Sequence, residues 1–337
     1  MVIKGVTIPQ TSKAAGESMA EGLPVLNRAL RAEWPDNLRV VEDALRTLPE
    51  SAEWPGLFRV LLHGGGAGRR TALVLWKDDP VGVVLLRKRG WITWEPVTQW
   101  LVPGFLFPVR QGCTIPVLAA LNREIRVAWW RFPAPPTPCF CVHEIKPSPV
   151  HRLACDEDFE QFWKTTGNLS MVRQAERRCK NFVLKLDPEG GAEWVVRHWE
   201  QQWRTDRNVP SRDLHERLLT AAFLEGLGLH HTFLLCDKSA PAAGATVLVH
   251  GRCVVASVMF RLPEYDYYGT GTFLIASIFR WAAQSGYLEL DIGGDHEYKK
   301  LWAPVGGFKY EFTVSPMRLY LPHVVATKAG AIFSRPR

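Results

Sequence analysis

The chain has 337 residues, 47% of them hydrophobic and 22% charged. Those ordinary globular proportions exclude disorder, collagen and a plain coiled coil, and the length predicts about two domains. Lys and Arg number 41 against 34 Asp and Glu, a net charge of +7 that suits an anionic ligand and admits RNA without requiring it.

Other broad features narrow the class. Met1 to Glu21 is polar and lacks the apolar stretch of a secretory signal. Ala242 to Phe260 is long enough to cross a membrane, but His250-Gly251-Arg252 interrupts its centre, so a hairpin fits better. Val97 to Val109 is short and broken by Pro103 and Gly104. These features predict a soluble, cytoplasmic protein with no membrane span. Seven scattered cysteines predict buried thiols. Cys139, Cys141 and His143 form a C-x-C-x-H cluster with Cys155 downstream, but the second ligand pair of a zinc site is missing, so no metal is expected.

In chain order, Ala14 to Leu48 reads as helical, with Leu26, Leu30, Leu38, Val41 and Leu45 in partial helical spacing and a break at Pro35. Strands are predicted at 57–62, 71–76, 81–86 and 91–100, a helix at 110–122 and a strand at 125–130. Arg131 to Pro149 holds six prolines, a density that argues against helix or central strand and marks a domain boundary or crossover. Helices follow at 156–165 and 168–181, the second carrying Arg173, Arg177, Arg178 and Lys180. Then come a strand at 182–186, helices at 191–205 and 212–227, a strand at 231–236 and a hairpin of 245–249 with 253–260. A loop at 263–271 leads into a helix at 272–284, stopped by Gly286. A strand at 288–292, a short helix at 296–302 and strands at 308–314 and 318–321 close the chain. Both halves share one order of elements without a repeat that aligns.

The richest stretch is Tyr267 to Asp291. Gly269 and Gly271 open a helix striped by Phe273, Leu274, Ile278 and Trp281. Such a turn leaves backbone N–H groups free at a helix N-terminus, where a pyrophosphate fits; it equally reads as a plain turn that needs glycine for its dihedral angles. Further on stand Asp291, Gly293 and the run Glu297-Tyr298-Lys299-Lys300-Leu301-Trp302.

These elements together resemble the GNAT acyltransferase superfamily, in the branch shared by CelD-like acetyltransferases and Fem-type (FemAB-like) peptidyl transferases. Ala283, Gly286, Asp291, Gly293, Tyr298, Lys299 and Trp302 stand at the branch's motif positions, and the Arg173 to Lys180 helix resembles its Arg-rich helix. The likeness covers about Phe159 to Phe312; before that only the element order matches. Two departures stand out: Tyr268-Gly269-Thr270-Gly271 replaces a Ser-Pro-Gly-like turn, and no long heptad run marks a coiled-coil arm.

The resemblance implies an α/β fold of two tandem GNAT-like domains, each a mostly antiparallel mixed sheet flanked by helices. It divides the chain into a degenerate N-terminal domain over 1–145, an acyltransferase domain over 146–322 and a basic tail over 323–337. It implies direct acyl transfer from a CoA thioester to an amine or hydroxyl, with no tightly bound cofactor. The donor site would be Tyr268, Gly269, Thr270, Gly271, Thr272 and Phe273. Lys299, paired with Tyr298, would hold the oxyanion, or else simply face solvent beside Lys300. Asp291 would orient the amine or act as base, and reads equally as a cap on the Gly293-Gly294 turn. His296 and Glu297 are further base candidates, Asp295 a substrate-binding one, and Tyr268 a weak candidate to protonate the leaving thiolate. Arg173 and Arg177 share a helix face and suit a phosphate or carboxylate; a solvated face is the plainer reading.

Two other functions fit the same residues. A Fem-type enzyme would take aminoacyl-tRNA as donor, using Arg69, Arg70, Arg87, Lys88 and Arg89 as a basic patch. Alternatively the fold is kept as a binding protein without catalysis. DNA is not an expected partner, and the sequence does not name the acceptor.

Overall fold

The computed structural model describes residues 30–48, 54, 56–64, 68–88, 93–97, 102, 107–121, 123, 125–132, 142–155, 159–207, 214–294 and 296–315. The architecture is α/β, with one twelve-stranded sheet among these residues. In chain order the elements are β1 (Leu30–Glu33), α1 (Leu38–Thr47), α2 (Leu57–His63), β2 (Arg69–Trp76), β3 (Asp79–Lys88), β4 (Thr93–Pro96), α3 (Thr114–Leu121), β5 (Arg126–Phe132) and β6 (Val142–Ala154). The second half follows as α4 (Phe159–Thr165), α5 (Asn168–Arg178), β7 (Phe182–Leu186), α6 (Gly191–Arg207), α7 (Leu214–Glu225), β8 (His230–Asp237), β9 (Ala240–His250), β10 (Cys253–Arg261), α8 (Thr270–Gln284), β11 (Glu289–Gly293) and β12 (Val305–Val314). Short 3-10 turns cover Pro263–Tyr268 and Glu297–Leu301.

The strand order is β1-β2-β3-β4-β5-β12-β6-β11-β10-β9-β8-β7. Neighbours are antiparallel except two pairs, β4 with β5 and β10 with β11. Each parallel pair brackets a helix, α3 in one half and α8 in the other, because parallel strands need a crossover. A four-stranded antiparallel run ending in such a crossover therefore occurs twice. The last strand, β12, lies between β5 and β6 and fuses the two runs into one sheet.

Alternate residues of β8 separate the two faces beside the site. Phe233 and Leu235 join the core beneath α4, α5 and α8, while Leu234 and Cys236 join Val195 and Val196 of α6. The first core is aromatic: Trp163 meets Phe279 and Trp302 edge-on at 5.2 Å. On the α7 side, Leu224, Leu248 and Val255 join the core of the N-terminal half, so the halves share buried apolar surface.

Three expectations are corrected. Residues 57–62 form helix α2 and no strand. Leu57, Phe58, Leu61 and Leu62 are its buried residues, a helical spacing, and it starts from Gly56 at φ +78°. The opening is not helical from Leu30: residues 30–33 pair with β2, and the helix starts only after Pro35, capped by the Asn37 carboxamide, which accepts from the Arg39 N–H at 3.0 Å. Pro147 and Pro149 lie within a strand of the sheet. They stand two apart, so both missing donors face one side of β6. The other side pairs with Tyr310 and Phe308 of β12, while β11 reaches β6 only from His151 onward. The expected domain change after residue 145 thus falls inside β6. The tail and the strand predicted at 318–321 lie outside the described residues.

Among the described residues no helix is long and apolar enough to cross a membrane. Cys139 and Cys141 lie outside them, and the His143 ring meets the Ser315 carbonyl at 3.1 Å.

Candidate functional site

The site lies where two parallel strands part. β10 and β11 pair only through Cys253 with Glu289, Val254 with Leu290, and Val255 with Asp291. Past that point β10 carries an irregularity between Ala256 and Val258, and β11 turns toward β6 at Gly293. A bulge bends and twists its strand. The result is a notch at the carboxyl ends of both strands, and α8 starts there.

Helix α8 begins without a side-chain cap. Its N-cap is Gly269 at φ +70°, and its first turn has no carboxylate. The first bond from the cap is that of the Phe273 N–H to the Gly269 carbonyl, so the N–H groups of Thr270, Gly271 and Thr272 precede it. Close packing requires the glycine at 269, since a first side-chain carbon there would stand 3.2 Å from Cβ of Ala175 on α5. Gly271 faces the stem of Arg261, whose Cδ lies 3.5 Å from where such a carbon would be. Arg261 closes β10 and pairs with Asp266 at 2.8 Å. An ion pair therefore sits beside the helix N-terminus, and the N–H groups and dipole of α8 are what favour an anion there.

The other predicted donor residues divide. Thr270 is buried, its hydroxyl without a partner, so it offers this notch a backbone N–H alone. Tyr268 packs into an aromatic cluster, its ring 5.1 Å from Phe182 and 6.2 Å from Tyr265. Phe273 and Thr272 are half-buried in the first turn of α8.

Across the notch, the turn after β11 gathers the predicted catalytic residues. Asp291 is buried, and its carboxylate accepts from the Gly293 N–H at 2.7 Å, from Arg152 Nε at 3.3 Å and from Lys309 Nζ at 3.3 Å. It caps the turn and balances two cations. Lys299 is half-buried, with its Nζ beside Gly293. The Tyr298 ring is stacked on His296 with centroids 6.0 Å apart. Desolvation holds the Tyr298 phenol above its ordinary value, a shift that the nearby Arg261 cation opposes. His296 is exposed. Glu297 is exposed too and pairs with Lys300 at 2.7 Å. Asp295 lies outside the described residues.

Arg173 and Arg177 are exposed on α5, and neither forms an ion pair among the described residues. Their helix abuts the start of α8 through Ala175 and Gly269. The neighbouring Arg178 donates to the Tyr267 carbonyl at 2.7 Å and lies 4.4 Å over its ring. Two residues of the basic patch expected in the N-terminal half are neutralised, while Arg70 and Lys88 are exposed. Arg69 pairs with Glu216 at 2.7 Å and Arg87 with Glu95 at 2.6 Å, all four side chains buried. Arg89 lies outside the described residues.

Sequence reasoning missed Arg261, Arg152 and Lys309. Each ends or interrupts an apolar strand, a weak signal by itself, and only strand pairing brings them to the notch and to Asp291.

Residues 169–300 match the family model described as an acetyltransferase (GNAT) domain. That segment runs from α5 to the Tyr298-Lys299 turn and so contains the notch. Among solved structures the chain is similar to one assigned as the C-terminal (DUF2156) domain of a lysylphosphatidylglycerol synthetase from Agrobacterium fabrum. Identity is 12%, coverage 87% of this chain and 96% of that one, and the TM-score 0.52. It is similar also to L-PGS from Bacillus licheniformis, at 12% identity, 89% and 97% coverage and a TM-score of 0.51. Against FemX, identity is 11%, coverage 86% and 99%, and the TM-score 0.44. The first two likenesses show a shared fold. No curated protein matches the chain.

Proposed function

We propose that this protein transfers an acyl group directly from a coenzyme A thioester to an amine. One observation carries the reading: α8 opens uncapped, with no acid in its first turn, at the parting of β10 and β11. Uncapped N–H groups and the helix dipole together fit a pyrophosphate. Gly271 lets the donor approach the backbone, and Thr272 and Gly271 supply N–H donors.

The chemistry then falls to the turn opposite. The amine nitrogen attacks the thioester carbonyl, a C–N bond forms and the carbonyl oxygen becomes an oxyanion. The Lys299 ammonium, held against Gly293, stabilises that charge. As the C–S bond breaks, the thiolate takes a proton from the Tyr298 phenol, which is protonated at neutral pH. His296, exposed beside Tyr298, takes the proton that the amine loses. Tyr268 is less suited as the acid because its ring lies among Phe182 and Tyr265.

The aminoacyl-tRNA reading keeps one support, the exposed Arg173 and Arg177 beside the donor helix. It loses part of another, because Arg69 and Arg87 are matched by buried carboxylates while Arg70 and Lys88 stay exposed. Titration calorimetry of the purified chain with acetyl-CoA and free CoA tests the proposal. One-to-one binding of both is expected, followed by acetylation in an amine panel read by mass spectrometry. Silence toward CoA alongside salt-sensitive binding of aminoacyl-tRNA would move the assignment to the amide-forming reading. Silence toward both would leave a binding protein.

A further inference from the structure

We propose that a cavity in the N-terminal half, remote in sequence from the notch, binds a free α-amino acid with an apolar side chain. The cavity is an open pocket of about 230 Å3 between the β1–α1 turn, α1, α2 and the β2–β3 pair, and Trp34, Asp36, Leu38, Leu62, Arg70 and Leu85 are among its lining, with Asp36 and Arg70 exposed. Pockets for drug-sized ligands run from roughly 300 to 1,000 Å3, so this one suits a smaller guest.

Its charges are arranged for a zwitterion. The Arg70 guanidinium lies 4.5 Å over the Trp34 ring and 5.9 Å from that of Trp94. Stacking uses the faces of the guanidinium and leaves its in-plane N–H fork for a carboxylate. Arg70 has no carboxylate partner among the described residues, whereas its neighbour Arg69 is matched by Glu216. Asp36 lines the same cavity and has no cationic partner among the described residues. It is not needed to cap α1, since Asn37 does that. Asp36 and Arg70 do not pair with each other, although both face one space. A ligand that carries a carboxylate and an ammonium satisfies both.

The remaining wall is mixed, with Leu38, Leu62 and Leu85 beside Thr71 and the paired Arg69. Leu62 is buried, and Leu38 at the start of α1 is 43% exposed. A branched aliphatic side chain would cover Leu38 and meet Leu85.

Saturation-transfer NMR and calorimetry on the full chain with L-leucine test this, with L-leucinamide and 4-methylpentanoate as analogues lacking one charge each. Leucine is expected to bind, and each analogue about tenfold or more weakly than leucine, because a charged partner is left unmet. Arg70→Ala and Asp36→Asn should each weaken leucine by about tenfold or more. Asp36→Asn keeps size and shape, so it remains informative if Arg70→Ala disturbs the fold. No leucine binding at about 10 mM, the weak end of specific affinity, overturns the proposal. So does equal binding of leucine and either analogue, or a folded Asp36→Asn variant that binds normally.

Discussion

The ammonium of Lys299 rests where a side chain on Gly293 would be: a first carbon there would stand 3.2 Å from Nζ. Gly293 adopts φ +83°, and its N–H is held by Asp291 at 2.7 Å. The buried carboxylate therefore fixes the turn, and the turn fixes the cation. Lys299→Ala should lower kcat about 100-fold with little change in donor affinity, as for loss of one oxyanion contact. Gly293→Ala should lower kcat as well, by displacing the ammonium. Steady-state kinetics with CoA titration checks both; an unchanged kcat in Lys299→Ala removes that residue from the mechanism.

Two glycines of the donor turn should answer differently. Gly271→Val meets only ordinary contact with the Arg261 stem, so the variant should fold and bind CoA weakly. Gly269→Ala forces a left-handed residue against Ala175, a cost of roughly 1–2 kcal/mol before the contact is counted. Melting curves should show that loss for Gly269→Ala. Normal CoA affinity in folded Gly271→Val would sink the donor-site assignment.

Arg69 on β2 and Glu216 on α7 join the two halves of the chain through a buried pair. Glu216→Leu leaves a buried guanidinium uncompensated and should cost about 3–5 kcal/mol. Arg69→Met together with Glu216→Leu should recover much of it, since buried ion pairs offset their own desolvation only in part. Denaturant midpoints of the three variants decide this; a double variant as unstable as the single would refute it.

If Tyr298 is the acid, activity should fall as pH rises past the ordinary phenol value of about 10. Desolvation raises this phenol and Arg261 lowers it. Arg261→Met should thus move the alkaline limb of the kcat profile to higher pH. A limb that moves down has the sign wrong and discards the assignment.

Burial pushes the Cys253 thiol up to about 12, with Asp291 and Glu289 adding to the shift, and burial pushes Cys179 up to about 11. Both should stay protonated and resist alkylation at pH 8, as peptide mapping would show. A folded pKa raised above the unfolded one gives stability that is present below pH 9 and lost as pH climbs toward 11 and 12. Urea midpoints should fall across that alkaline window.

The sequence made much of this legible where local signals agree. Helix α8, its glycine entry, the β9–β10 hairpin and the Tyr298-Lys299 turn all follow from period, turn chemistry and motif. Asp291 was readable as turn cap or base, and the structure shows it capping the turn with two cations on its carboxylate. Residues 57–62 misled because a short apolar run has no unique period until its neighbours are known. Pro147 and Pro149 misled because proline excludes only one side of a strand.

What the sequence determined by itself is local: helix and strand periodicity, the freedom of Gly269 and Gly271, a basic surplus and the α/β class. What only the tertiary structure decided is pairing between distant residues. It buried Arg69 and Arg87 on carboxylates, brought Arg152 and Lys309 to Asp291, and set Arg261 beside the start of α8. The reason is physical. Backbone preference acts within a few residues along the chain, whereas charge compensation and strand register act across space, and no spacing in the sequence encodes which partner a strand will meet.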